Sequence, residues 1–356
     1  MAKVCVFCGE KPDEKSKEHV VPRWLIELTG DPKREAFFGF IKDFKNGFKE
    51  RIFSFDQLTF PSCVSCNNKY ADLERKVKPI LERILNEESV TTEALSLFFD
   101  WLDKVRIGLW VGMIQLDKNY ADVEPNFHIE TRISQYDRML IVERSDSDRC
   151  KLNLGGIDTL SFSLTPSAFV LIVNNYYFTN ISYMFLLHRR LGFPYPKEMY
   201  IQPDNERCQA NIVHGRNRIM RPLLRKAIEE SGIIFYQPMF RGGLIEGNIY
   251  EYDNDYVKSH SLSFESGIGN IFQQVGDALI EHKLNDTFFV KPTIAQGDER
   301  LFIKSAINVC KWQNWLVQFM PKSDRLTLDQ KKYVKSRFRT GVKINDILIK
   351  HYESML

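Results

Sequence analysis

The sequence predicts an α+β protein in which a small cysteine-framed unit precedes a larger mixed region. Three observations carry this. Two C-x-x-C pairs, Cys5/Cys8 and Cys63/Cys66, bracket the first part of the chain. Apolar residues then recur at steps of three and four over 92–114 (Leu95, Phe98, Leu102, Val105, Leu109), the period of a helix. Beyond it the chain turns rich in β-branched and aromatic residues, in "RMLIVER", "LSFSL", "AFVLIVNNYYF" and "GNIYEY".

Residues 1–90 read as strand, hairpin, strand, helix. Asn46-Gly47 is a hairpin turn signal, flanked by Phe44 and Phe48 and followed by Ile52, Phe53 and Phe55. The second cysteine pair opens a helix with Asn67 as N-cap and Leu73, Val77, Ile80 and Ile84 as its apolar stripe. Pro79 falls inside that stripe and is expected to kink or divide the helix. Residues 91–356 form an α+β region, in one domain or two, that matches no recognisable signature. Within it a helix is expected around 220–230, with Gly232 on its C-terminal side. Thr327 and Gln330 have capping-box spacing ahead of "KKYVKSRFR", so the C-terminal part reads as helical.

Of the 356 residues, 44% are hydrophobic and 27% charged, the mix of a soluble globular protein. The net charge of +3 neither demands nor excludes a nucleic-acid partner, because a local basic groove suffices. No apolar leader precedes Cys5. The apolar run over 95–116 is interrupted by Asp100, Asp103, Lys104 and Arg106, so it reads as a buried helix rather than a membrane span. A cytoplasmic protein without a membrane partner is the expectation. Seven cysteines distributed as two pairs and three singles do not resemble a disulfide framework. Cys150, Cys208 and Cys310 read as small buried hydrophobes.

Tetrahedral zinc takes four thiolates, and each C-x-x-C turn supplies two, so Cys5, Cys8, Cys63 and Cys66 read as a structural zinc site. Four reduced thiols without metal leave the shared two-residue gap unexplained, and a redox-active pair needs no second knuckle. Hydrolysis of a phosphodiester requires a base for water and a hard cation for the phosphate. His19 can be the base, because an unperturbed imidazole titrates near neutrality. Glu18 and Asn67 offer the oxygen ligands that Mg²⁺ or Mn²⁺ requires. On an extended chain Glu18 and His19 point to opposite sides, so one can face metal and the other water.

C-x-x-C, then Glu18-His19-x-x-Pro22, then C-x-x-C-Asn67 resembles the HNH nucleases, the ββα-metal superfamily, among them phage Holliday-junction resolvases and many restriction-type enzymes. The resemblance covers residues 5–80. It implies a zinc-clamped ββα-metal module in which Glu18 and Asn67 bind the catalytic divalent metal and His19 is the general base. It also implies an endonuclease acting on nucleic acid, DNA in preference to RNA, in a setting such as bacterial defence against foreign DNA. One such centre cuts one strand, so a double-strand cut calls for a homodimer or two nicks. Glu18 stands where Asp is commoner, and Asp56 or Gln57 stands where the family has its central asparagine. Either could bond the loop that holds His19.

Lys17, Arg23, Lys69 and Arg75 flank the centre and could neutralise phosphates. Asn68 and Glu74 could add a ligand or a water contact, and Trp24 reads as a hydrophobic lid on the zinc module. Three further basic stretches, "LLHRRLGFPYP" with His188, "HGRNRIMRPLLRK" and "KKYVKSRFRTGVK", read either as anion or DNA contacts or as solvated faces. The alternative to an endonuclease is a non-catalytic zinc module that binds nucleic acid or protein. The region after residue 90 then serves as a sensor or recognition domain, answering an activating partner or ligand.

Overall fold

Alternation along 15–19 puts Ser16 and Glu18 on one side of an extended segment and Lys17 and His19 on the other. In a computed structural model, which describes residues 4–12, 14–43, 47–116, 124–201, 208–219, 232–240, 254–318 and 327–356, that segment is β1 (Lys15–His19). It is followed by α1 (Arg23–Leu28), β2 (Glu35–Asp43), β3 (Gly47–Ser54), β4 (Thr59–Cys63), α2 (Val64–Leu85), β5 (Ser89–Thr91) and α3 (Thr92–Leu116). The central region contains α4 (Ile129–Arg132), β6 (Asp137–Ser145), β7 (Leu152–Gly155), α5 (Leu160–Leu164), β8 (Ala168–Val173), β9 (Tyr176–Tyr183) and α6 (Leu186–Leu191). Next come β10 (Tyr195–Ile201), β11 (Cys208–Val213), β12 (Ile233–Gln237), α7 (Asn254–Ser259), β13 (Ser261–Ser263), β14 (Ile268–Gly269), β15 (Ile271–Val275) and β16 (Ala278–His282). β17 (Thr287–Phe289), β18 (Ile294–Ala295), α8 (Asp298–Val317) and α9 (Leu328–Glu353) complete the chain.

The expected mixed α and β architecture is present. β1 pairs antiparallel with β4, joining Glu18 to Phe60 and His19 to Thr59 across the ladder. β2 and β3 form the hairpin, with Asp43 opposite Gly47; Asn46 lies outside the described residues. α1 was not expected from the sequence; it starts directly after Pro22, which caps it. α2 begins at Val64 with Cys63 as its N-cap, so Asn67 lies inside the first turn and is not the cap. α2 also runs undivided through Pro79, which is exposed and so removes a backbone bond only on the solvent side. "LSFSL" forms helix α5 rather than a strand, because Thr159 caps it by accepting from the Phe162 N–H at 3.1 Å. Trp110 of α3 also bonds the Ser163 carbonyl at 2.8 Å, so local capping and tertiary contact override β-propensity. The helix expected around 220–230 and the "GNIYEY" segment lie outside the described residues.

β16, β15, β12, β6, β9, β8 and β7 form one antiparallel sheet in that order, with β18 added parallel to β6. Leu140 and Val142 of β6 face the core containing α3 and the cysteine unit, whereas Met139 and Ile141 face the core containing α6. The first of these cores is continuous from Cys5 to Val290, so the cysteine unit and the sheet share it through α3.

α3 is buried almost all round, as its apolar composition requires. Asp100, Asp103, Lys104 and Arg106 within it each have partners. Arg106 pairs with Asp103 at 2.7 Å and bonds the Pro166 carbonyl at 2.8 Å, while Arg138 of β6 reaches Asp103, Asp100 and Gln237. On another face, residues 104, 108 and 112 line up at steps of four. Gly108 and Gly112 cost helix propensity of about 1 kcal/mol each, yet a Cβ at Gly112 would stand 2.4 Å from Phe60 and one at Gly108 would stand 2.8 Å from Val20. These glycines let β4 and the end of β1 lie directly on the helix backbone. Lys104 continues the stripe beneath Glu18.

Candidate functional site

The two cysteine pairs meet. The Sγ atoms of Cys5, Cys8, Cys63 and Cys66 all lie within 4.8 Å of one another, and Cys8 and Cys63 are 3.8 Å apart. A tetrahedron with zinc–sulfur distances of about 2.3 Å has edges of about 3.8 Å. Burial disfavours ionising Cys5, but the N–H groups of Cys8, Cys63 and Phe7 outweigh it and lower the thiol. Burial raises Cys63, pushed up to about 12, and raises Cys66 as well, with neighbouring cysteines adding to both shifts. The protein alone therefore stabilises charge poorly on this set, and the four sulfurs could hold a metal ion such as zinc. Backbone bonds from Ile129 to Val6 (3.2 Å) and from Glu130 to Phe7 (2.9 Å) pin the first knuckle to α4. Cys310 is buried as expected, but Cys150 is exposed, since it lies in the loop before the edge strand β7. Nothing is described of the Cys208 side chain.

The pairing of β1 with β4, from which α2 springs, brings Glu18, His19 and Asn67 to one strand. His19 is half-buried, and its Nε2 lies 3.1 Å from the backbone carbonyl of Asp56. A carbonyl can only accept, so Nε2 carries the proton and Nδ1 keeps the lone pair of the neutral ring. The contact differs from the expected bond between Asp56 or Gln57 and the loop that holds His19: the Asp56 backbone carbonyl meets the ring itself. Asp56 is itself held, its carboxylate accepting from Ser54 Oγ at 2.6 Å. Asn67 donates from Nδ2 to Ser16 Oγ at 2.8 Å and to the Lys17 carbonyl at 3.4 Å. This orientation leaves its carbonyl oxygen as the oxygen donor.

Glu18 has a partner that the sequence reading did not connect to it. Its carboxylate is 5% exposed and accepts from the ammonium of Lys104, 0% exposed, at 2.5 Å. The same ammonium also pairs with Glu74 of α2 and lies 5.8 Å above the Phe7 ring, which stacks on Tyr70. Burial acts to lower Lys104, but the charges of Glu18 and Glu74 override it and raise the amine, which stays protonated. Burial raises the Glu74 carboxyl, opposed by Lys104, reinforced by Glu18 and opposed again by His19. The available signal was a lysine placed among apolar residues of a helix, since buried lysines are almost always paired.

Lys104→Met is expected to lower unfolding stability by about 3–5 kcal/mol, the cost of breaking a buried pair on one side. A urea titration measures it. Lys104→Met/Glu74→Gln should recover part of the loss, since only one buried carboxylate then stays ionised.

Among the four basic residues proposed to face phosphates, three have carboxylate neighbours. Arg23 pairs with Glu27 at 2.8 Å, Lys69 with Glu130 at 2.5 Å, and Arg75 with Asp72. All three pairs are exposed, where such contacts contribute little and open easily. Lys17 is exposed and has the same parity on β1 as His19. Asn68 is exposed, and Trp24 packs on Trp101 of α3, with centroids 6.0 Å apart, against the core that the cysteine unit shares.

Two oxygen donors would remain for a divalent cation, the second carboxylate oxygen of Glu18 and the amide oxygen of Asn67. Both belong to side chains on the Ser16/Glu18 side of β1. Such hard donors suit Mg²⁺ or Mn²⁺, which keep several waters and take few protein ligands. No helix among the described residues is long and apolar enough to cross a membrane. Comparisons with protein-family profiles, curated proteins and solved structures return no match.

Proposed function

We propose that the chain is a metal-dependent endonuclease of the HNH type that hydrolyses phosphodiester bonds in nucleic acid, with DNA the favoured substrate and defence against foreign DNA its setting. The observation that carries this is the bond from His19 Nε2 to the Asp56 carbonyl, on a strand where Glu18 occupies the adjacent, opposite-facing position. A base has to present a lone pair in a fixed direction, and this contact selects the tautomer that does so. The four cysteines act as a structural zinc clamp on the strand and helix that bear the site.

His19 Nδ1 takes the proton from the attacking water while Nε2–H stays on Asp56. The imidazolium that forms would be compensated by the carboxylate of Glu74. Lys17 holds a phosphate of the bound strand, and Arg23, Lys69 and Arg75 exchange their surface carboxylates for further phosphates. Glu18 and Asn67 would hold the Mg²⁺ or Mn²⁺. When bound, that ion supplies polarisation of the phosphate and stabilisation of the leaving oxygen. Lys104 fixes the Glu18 carboxylate from below.

Supercoiled plasmid and an RNA of similar length, each incubated with purified protein in Mg²⁺, Mn²⁺ or EDTA, test the proposal. Metal-dependent nicking of the plasmid is expected, with linear product only at protein concentrations that support a dimer or a second nick. An absence of cleavage with every divalent metal would overturn it.

One observation favours a second reading: Lys104 neutralises Glu18 as it would a purely structural acid. On that reading the zinc unit binds nucleic acid or protein without cutting. Labelled duplex would then be retained equally in Mg²⁺ and in EDTA and recovered intact.

A further inference from the structure

We propose that the chain forms a two-fold dimer in which β16, an open edge of the large sheet, pairs antiparallel with β16 of a second copy. This proposal does not rest on how the His19 site is read.

Among the described residues the large sheet ends in two edge strands, β7 and β16. An edge offers a row of main-chain N–H and C=O groups to any strand that can reach it, and folded proteins cap or cover such rows. Both devices are present at β7. The Asn174 N–H bonds the Lys151 carbonyl at 2.8 Å, so the alternation of the ladder turns the Leu154 N–H outward. Asn153 Oδ1 accepts that N–H at 2.8 Å. A cavity of about 550 Å³ beside β7 is lined in part by Phe55 and by Tyr352 of α9, so the N-terminal unit and the last helix flank this edge. β16 is different: Asp277, Ala278 and Ile280 are exposed, Ile280 to 47%.

The turn before β16 decides which of its main-chain groups are available. Gly276, at φ 58°, and Asp277 form a two-residue connection that leaves Val275 opposite Ala278. The pair that closes such a turn is hydrogen-bonded, and so is every second pair beyond it, Gln273 with Ile280 and Ile271 with His282. Leu279 and Glu281 lie between these pairs, so their N–H and C=O groups point away from β15, toward the open edge. The Glu281 side chain is already held, accepting from Asn270 Nδ2 at 2.7 Å and lying 2.9 Å from His260 Nδ1.

The strand is complementary to itself. A two-fold axis through its open part keeps each side chain on its own face of the joined sheet only when it passes through Leu279, Ile280 or Glu281. Centred on Leu279, the pairing sets Asp277 of one copy against Glu281 of the other; centred on Glu281, it sets the two Glu281 residues against each other. Like charges directly opposite are destabilising. Centred on Ile280, the pairing sets exposed Asp277 against exposed Lys283, twice by symmetry. It also sets Leu279 against Glu281, the residues whose main-chain groups face outward, so four intermolecular hydrogen bonds form. Ile280 then meets its own copy at the closely spaced position of the ladder, with Val275, 49% exposed, and Ala278 beside it on the same face. Main-chain bonds supply the affinity of strand addition, and the charge pairs fix its register. One short strand makes a small interface, so a Kd of about 10 µM is expected.

Sedimentation velocity of the full chain, free of nucleic acid, from about 1 µM to about 200 µM brackets that Kd and tests the dimer. The wild type should pass from monomer to dimer across the range. Ile280→Lys places two ammonium groups at the axis and should weaken the dimer about 100-fold, leaving a monomer. Leu279→Pro removes an outward donor from each copy without touching the bonds to β15, and should weaken the dimer about tenfold or more. Asp277→Lys should weaken it about tenfold, and Asp277→Lys/Lys283→Asp should restore it to within about threefold of wild type. Thermal melts of each variant verify the fold. A wild type that stays monomeric at about 200 µM would overturn the proposal, as would a dimer that persists in folded Ile280→Lys. A double charge variant no tighter than Asp277→Lys would overturn the assigned register.

Discussion

Under the proposed function, His19→Ala is expected to lower the rate of metal-dependent cleavage by about 10²–10⁴-fold, the usual contribution of a positioned general base. The ring is half-buried and its one described hydrogen bond is to a backbone carbonyl, so its removal leaves one carbonyl for water and no unpaired buried charge. The variant should therefore keep its melting temperature within a few degrees while losing activity, a combination that separates a base from a packing residue. Gel retardation of DNA by the variant should match the wild type, because no phosphate contact has been removed. The assay is nicking of supercoiled plasmid under single-turnover conditions. A variant that cuts as fast as wild type would show that another group accepts the proton.

Cys63→Ser is expected to lose the metal that the four cysteines could hold and, with it, the folded N-terminal unit. Zinc binding to four-thiolate sites has apparent free energies of about 10–16 kcal/mol, as large as the whole stability of an ordinary domain. Cys63 has three placements, as a candidate ligand, the last residue of β4 and the N-cap of α2. Its loss unclamps the strand bearing Glu18 and His19 from the helix bearing Asn67. Elemental analysis should find about one zinc per wild-type chain and none in the variant, and limited trypsin digestion should cut the variant between residues 10 and 80. Full zinc retention by Cys63→Ser would contradict the four-cysteine site.

The cysteine frame was legible because metal ligation demands particular residue types at particular gaps, and Cys5, Cys8, Cys63 and Cys66 do converge. The neighbourhood of Glu18, His19 and Asn67 was legible for the same reason: each lies close in sequence to a cysteine that fixes its strand or helix. Lys104 was seen in the sequence, but only as a charge that argued against a membrane span. Its partners Glu18 and Glu74 lie 86 and 30 residues away, and no local spacing marks such a pair. "LSFSL" was misread because its β-branched-poor, aromatic pattern carries little information, whereas Thr159 just before it was a helix-start signal that could have been weighed. Asn67 failed as a cap because the helix starts at the first cysteine of the same knuckle, Cys63.

β5 and β17 pair Val90 with Phe288, and the first residue of α3, Thr92, bonds the Asp286 carbonyl at 3.0 Å. These partners lie 194 residues apart. At about 5–20 residues per second, synthesis leaves about 10–40 s between their emergence from the ribosome. During that interval the helix beneath Glu18 lacks its final anchor. Birth of the chain therefore runs in two stages, with the elements of the candidate site made first and locked last.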